Sequence, residues 1–194
     1  MNYNVMSTVV KAVLARTDKD PVIIAIDGPS AGGKTAIAKS ISDEYDCNVF
    51  HMDDFFLTPE RKTQERLATP GGNVDYERFE EQVMKNLLGK EPFTYDIYSC
   101  KTGESVKSDV ILPKRLNIVE GVYSMHPELM KYYEYTIFLD VERPVQLERI
   151  LSRSNENMLA KFKNEWIPLE DAYFKAFNLR AKGDFALNTT KMFK

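Results

Sequence analysis

The chain has 194 residues, 43% hydrophobic and 28% charged, with a net charge of -3 at pH 7. That length suits one α/β domain with its own core, and the composition excludes a disordered or low-complexity chain. The weakly acidic balance offers no broad basic field for nucleic acid or an anionic membrane, so a small-molecule partner is expected.

Residues 1–17 carry Lys11 and Arg16 and no acid until Asp18. The stretch reads as an amphipathic first helix burying Val9, Val10, Val13 and Leu14, in preference to an organelle presequence. Short apolar runs at 22–26, 48–52, 117–119 and 136–139 are rich in β-branched or aromatic residues and read as buried strands. A weaker fifth lies at 185–187. Helical patterns fall near 34–44, 76–88, 127–133 and 144–153, and a longer one runs over 156–180 with a break expected near Pro168. This alternation predicts a doubly wound α/β fold, a mainly parallel five-stranded sheet with helices on both faces. Residues 93–113 depart from it. Tyr95, Ile97, Tyr98, Val106, Val110 and Ile111 flank a turn at Lys101-Thr102-Gly103, which predicts an inserted β-hairpin. No linker or repeat divides the chain, so one domain over 1–194 is expected.

No apolar run approaches the about 20 residues that span a bilayer. Cys47 and Cys100 have neither metal-ligand nor disulfide-framework spacing, so a reducing, cytoplasmic setting is expected.

The sequence Gly28-Pro29-Ser30-Ala31-Gly32-Gly33-Lys34-Thr35 fits G-x-x-x-x-G-K-[ST] in full, between a strand and a helix. Glycines let backbone N–H groups approach phosphate oxygens, and the helix start adds its positive dipole end. Lys34 can reach the β- and γ-phosphates of ATP, and the Thr35 hydroxyl can ligate Mg²⁺. An Asn-Lys-x-Asp guanine reader and an Asp-x-x-Gly switch motif are both absent. A kinase is therefore expected ahead of a GTPase. It needs a base near the γ-phosphate, and Asp53 and Asp54 end the second strand, on the edge where open α/β sheets bind ligands. Acids there also serve as turn or cap residues.

The ordered set Gly28–Thr35, Asp53-Asp54-Phe55-Phe56, Tyr95-Asp96 and Glu120-Gly121 resembles the uridine kinase and phosphoribulokinase family of P-loop kinases. Nicotinamide riboside kinases look especially similar around Asp-Asp-Phe-Phe. The resemblance implies ATP-dependent phosphoryl transfer to a hydroxyl of a small metabolite, a nucleoside such as uridine or cytidine first. Other small alcohols (nicotinamide riboside, pantothenate, a sugar phosphate) are alternatives, as is a non-catalytic nucleotide-binding regulator. By resemblance Asp53 is the general base, and Thr35, Asp53 and Glu120 hold Mg²⁺. Phe56, Asp75, Tyr95 and Arg153 belong to the acceptor side. Family kinases also close an arginine-bearing lid, which points to Arg149 and Arg153 in a lid region of 149–165.

Residue-level alternatives stand beside these roles. Asp75 reads as a helix N-cap or a ribose ligand. Tyr95 reads as a base-stacking platform or as hairpin core. Arg149 and Arg153, four apart on one helix face, read as lid arginines or as a solvated charged face. Trp166, Ile167, Leu169, Tyr173 and Phe177 read as a buried stripe. The family pattern is broken at Ser154-Asn155-Glu156-Asn157, where uridine kinase lids are arginine-rich. It breaks again at Cys100, which stands where those enzymes carry a base-reading histidine. A homo-oligomer is left open.

Overall fold

The computed structural model describes residues 4–192. In chain order the elements are α1 (Asn4–Arg16), β1 (Val22–Asp27), α2 (Lys34–Glu44), β2 (Cys47–His51), α3 (Gln64–Ala68), α4 (Tyr76–Phe79) and α5 (Lys85–Gly89). They continue as β3 (Asp96–Ser99), β4 (Glu104–Lys107), β5 (Leu116–Glu120), β6 (Tyr135–Asp140), α6 (Arg143–Ser152), α7 (Glu156–Lys161), α8 (Ile167–Phe177), α9 (Leu179–Lys182) and β7 (Phe185–Asn188).

A five-stranded sheet has the order β2-β5-β1-β6-β7, and every pairing in it is parallel. Parallel neighbours require crossovers, and the helices that supply them cover both faces. The side-chain period of two sorts β1 between two cores. Val22, Ile24 and Ile26 pack with Met6, Val10, Val13, Ile37 and Ile41 on one face. Ile23 and Ala25 pack with Phe50, Phe55, Phe79, Tyr95 and Tyr173 on the other. Each fully buried side chain of this size contributes about 1.5–3 kcal/mol, so the two faces together hold the sheet rigid under the site. Of the 1–17 stretch, residues 1–3 lie outside the described residues. The helix α1 buries Val10 and Val13, with Val9 and Leu14 packed at the margin.

The hairpin forms as expected: β3 and β4 pair antiparallel, Gly103 takes φ +74 in the turn, and a bridge between Phe93 and Ile111 closes its base.

Two expectations are corrected. Residues 127–133 form no α-helix but a series of i→i+3 turns ending in a 3₁₀ turn at Met130–Tyr132. The Tyr133 hydroxyl donates to the Ser124 carbonyl at 2.6 Å, folding the segment too tightly for a helix. The long helical region is interrupted near Pro168 as expected: a π-helical turn at Phe162–Trp166 runs straight into α8, whose first turn holds Pro168. The stripe on α8 is corrected too: Leu169 is exposed, and the buried positions are Ile167, Glu170 and Tyr173.

His126 is buried with its ring stacked on Tyr76 at 3.9 Å between centroids, and Phe177 lies edge-on at 6.0 Å. Burial, with the Arg66 guanidinium adding to it, pushes its pKa from the ordinary 6.5 down to about 4. The native state therefore binds the proton less readily than the unfolded chain. Its stability contribution is complete above pH 6.5 and is lost as pH falls toward 4, by about 3 kcal/mol in all. Denaturant unfolding of wild type and His126→Phe at pH 7.5 and 4.5 should show the variant losing less stability on acidification. Equal losses would refute the assignment.

Candidate active site

The register decides which side chains meet. Pairing Ile26 with Glu120 and His51 with Glu120 brings the C-terminal ends of β1, β2 and β5 level at one edge of the sheet. From that edge emerge the loop 28–35, the turn Met52–Phe55 carrying Asp53 and Asp54, and Glu120-Gly121. They surround a cavity of about 320 Å³ whose walls include Ser30, Lys34, Thr35, Asp53, Glu120, Arg149 and Arg153.

Asp27, wholly buried, anchors the loop from below. Its Oδ1 accepts from the Gly28 N–H at 2.6 Å, and its Oδ2 accepts from the Met125 N–H at 2.8 Å and the Tyr173 hydroxyl at 2.9 Å. Burial pushes this carboxyl up to about 6, against the pull of the Met125 N–H, Lys34, the Gly28 N–H and the Tyr173 hydroxyl. The Ser30 N–H donates to Glu170 and the Gly32 N–H to the Pro29 carbonyl. The N–H groups at the start of α2 have no intrahelical acceptor by construction. Gly33, Lys34, Thr35 and Ala36 lie in the cavity wall, where such groups can meet an anion. The Lys34 ammonium donates to the Gly28 and Pro29 carbonyls at 2.8 and 3.0 Å, which holds it across the loop.

Glu120 is buried at the end of β5, and one oxygen serves two partners. Its Oε1 accepts from the Thr35 hydroxyl at 3.0 Å and lies 2.6 Å from His51 Nδ1. That bond is the leading cause that lifts the His51 pKa above its ordinary value. Asp53 faces the open cavity, yet the protein crowded around it raises its carboxyl above the usual range. Lys34 opposes that rise and Glu120 adds to it. Arg153 is exposed in the cavity wall, and its positive charge reaches Asp53. Arg149 is tied down: its guanidinium donates to the Thr189 carbonyl at 2.7 Å and to the Ala31 and Thr190 carbonyls at 3.3 Å.

The structure brings Ser30, Ala31, Gly33, Lys34, Thr35, Asp53, Glu120, Arg149 and Arg153 around one cavity, whereas Gly28, Pro29, Gly32, Phe56, Asp75 and Tyr95 do not line it. Asp75 caps α4, accepting from the Arg78 N–H at 3.1 Å, and also pairs with Arg61 at 2.5 Å. Tyr95 is buried in the core against Phe55 and Phe50, and its hydroxyl donates to Asp54 at 3.2 Å. Phe56 is half-buried and bridges to Val74. Cys100 is exposed at the hairpin turn. Sequence reasoning passed over Asp27, His51, Gln146 and Glu170. The legible signal for Glu170 is an acid at a core-facing helical position, three from Ile167 and three from Tyr173.

An all-parallel sheet with a phosphate-type loop after β1, acids in the turn that follows β2 and an acid ending β5 defines a P-loop kinase fold. No family model matches the chain. Among curated proteins it is 30% identical over 145 residues to a uridine kinase of Geobacillus kaustophilus, covering 70% of this chain and 68% of that protein. To a uridine kinase of Streptococcus pyogenes it is 26% identical over 149 residues, covering 70% and 69%. A solved structure described as a possible uridine kinase from Bacillus stearothermophilus superposes with a TM-score of 0.73 at 22% identity, over 93% of this chain and 96% of that one. The chain belongs to the uridine kinase family. No helix among the described residues is long and apolar enough to cross a membrane.

Gly28 has φ +140, and a Cβ there would stand 2.3 Å from the Leu139 carbonyl oxygen. Gly28→Ala should therefore shift the loop off β6 and lower the unfolding free energy by about 2 kcal/mol or more. An unchanged denaturation midpoint would show that the loop does not sit against Leu139.

Proposed function

We propose that the chain transfers the γ-phosphoryl group of ATP to a hydroxyl of a nucleoside, with uridine and cytidine the first candidates. The observation that carries this reading is the convergence of Lys34, Thr35, Glu120 and Asp53 on one cavity, fed by three strand ends. Family membership supports the acceptor class. In this reading residues 1–194 act as one kinase domain, with the hairpin at 93–113 shaping the acceptor side.

The donor half follows from the loop. N–H groups at the head of α2 and the Lys34 ammonium take the β- and γ-phosphates. Thr35, Glu120 and Asp53 are the residues that would hold Mg²⁺. No group of three or more His, Cys, Asp or Glu side chains able to hold a metal by themselves occurs among the described residues. One hydroxyl and one or two carboxylates suit Mg²⁺, which keeps several waters and takes phosphate oxygens from its nucleotide. When bound, it neutralises charge building on those oxygens.

The acceptor half rests on Asp53. A carboxyl raised by its surroundings is a stronger base than a solvated one, suited to take the proton of the attacking hydroxyl. Arg153 lines the same cavity, where its charge can offset that building on the transferring group. A second reading, a kinase for another small alcohol, is favoured by one observation. Cys100 is exposed at the hairpin turn and offers only a weak hydrogen-bond partner to a base.

Coupled ADP-release assays over uridine, cytidine, nicotinamide riboside, pantothenate and sugar phosphates test acceptor and class together. Stimulation by uridine or cytidine is expected, and no stimulation by any acceptor would make the chain a regulator. Asp53→Asn should lower turnover by about 10²–10⁴-fold while ATP affinity stays near wild type. Undiminished turnover would remove Asp53 as the base.

A further inference from the structure

The loop residues Ser30 to Gly32 are gripped from outside the cavity as well as facing into it. The Gln146 side-chain amide donates to the Ser30 carbonyl at 2.9 Å. The Ser30 N–H and hydroxyl donate to the two oxygens of Glu170, at 3.0 and 2.5 Å. The Thr189 hydroxyl donates to the Gly32 carbonyl at 2.9 Å. Gln146 and Glu170 are buried, and neither is among the residues lining the cavity.

These bonds have a directional consequence. In a trans peptide the N–H of the next residue points opposite to the carbonyl. Pinning the Ser30 and Gly32 carbonyls outward turns the Ala31 and Gly33 N–H groups toward the cavity. Without the outer bonds a peptide could flip and present a carbonyl oxygen to phosphate, a repulsive contact. The geometry at Ala31 is costly in itself: φ is +59, a left-handed conformation that disfavours residues other than glycine by about 1–2 kcal/mol. Something must hold it.

The grip also closes a ring between two helices. Arg143 on α6 donates to the Gln146 oxygen at 2.7 Å and to both Asp171 oxygens on α8 at 2.6 and 2.8 Å. Asp171 follows Glu170 in the chain. Ser30 is thus bonded to α6 through Gln146 and to α8 through Glu170, while α6 and α8 are bonded to each other. The segment 153–166, with its exposed α7, runs between those two helices.

We infer that Glu170 and Gln146 are positioning residues, which set the Ser30–Gly32 backbone for phosphate from the two helices that carry the lid segment. This rests on the loop binding ATP as proposed above. The role is one of shape rather than charge. A glutamine at 170 can accept from the Ser30 N–H through its oxygen and donate to the Ser30 hydroxyl through its amide.

Calorimetric titration with a non-hydrolysable ATP analogue and Mg²⁺ tests this without an acceptor. Glu170→Ala and Gln146→Leu should each weaken binding about tenfold or more, whereas Glu170→Gln should stay within about threefold of wild type. Ser30→Ala removes only the hydroxyl bond, so it should cost less than Glu170→Ala. In the Ser30→Ala/Glu170→Ala double variant the two losses should be less than additive, because both remove the same hydroxyl bond. Thermal unfolding of each variant identifies folded protein, and Glu170→Gln and Ser30→Ala keep the test decisive if the truncations fail to fold. Equal weakening by Glu170→Gln and Glu170→Ala would overturn the positioning role, as would wild-type affinity in Glu170→Ala. Lys34→Ala separates the two levels. If it binds the analogue as tightly as wild type, the loop reading itself fails. If it loses binding while Glu170→Ala and Gln146→Leu keep it, the positioning role alone is overturned.

Discussion

Parallel pairing in one register is the constraint on which the rest of this structure depends. Leu116 lies level with Val22 on one side and Cys47 on the other, so β1, β5 and β2 advance together and end together. Parallel strands deliver all their C-terminal ends to one edge, and the groups that follow them share one space. A slip of one residue between β2 and β5 would turn His51 and Glu120 to opposite faces, and a slip between β1 and β5 would carry Glu120 away from Thr35 at the head of α2. The two apolar faces of the sheet prevent either slip, because each strand would have to expose its buried residues to make it.

Polar groups inside this frame are costly unless bonded, and the bonds they make are what shape the loop. Asp27 sits at the floor with three donors around it, and Glu120 sits in the wall with Thr35 and His51. Each carboxylate is both satisfied and directional, so each fixes the backbone or side chain that bonds to it. Glu170 and Gln146 do the same from the helices. The resulting site is a rigid floor and wall beneath a more exposed segment at 153–166. A rigid floor and wall beneath a more exposed segment is the division expected of a kinase.

Much of the fold was legible because its signals are local. The strands at 22–26, 117–119 and 136–139 are dense apolar runs, and the helix after Lys34 follows a loop whose spacing is itself a pattern. The hairpin was legible from alternation around Gly103. The segment 127–133 misled, because its apolar residues suit a helix while the Tyr133–Ser124 bond, invisible in sequence, curls it into turns. On α8, periodicity puts Leu169 inside and leaves Glu170 out, since it counts apolar residues and takes no account of an acid with a buried partner.

The sequence by itself determined the phosphate-type loop, the order of strands and helices, and the acids at strand ends, because those depend on residue type and spacing along the chain. Tertiary structure decided which side chains those groups meet. Asp75 became a cap paired to Arg61, Tyr95 went into the core with its hydroxyl on Asp54, and Arg149 was tied to the Thr189 carbonyl. It also decided that Ser30 is held by residues 116 and 140 positions away. Contacts at such separation follow from how helices pack across the sheet, and no local pattern along the chain encodes them.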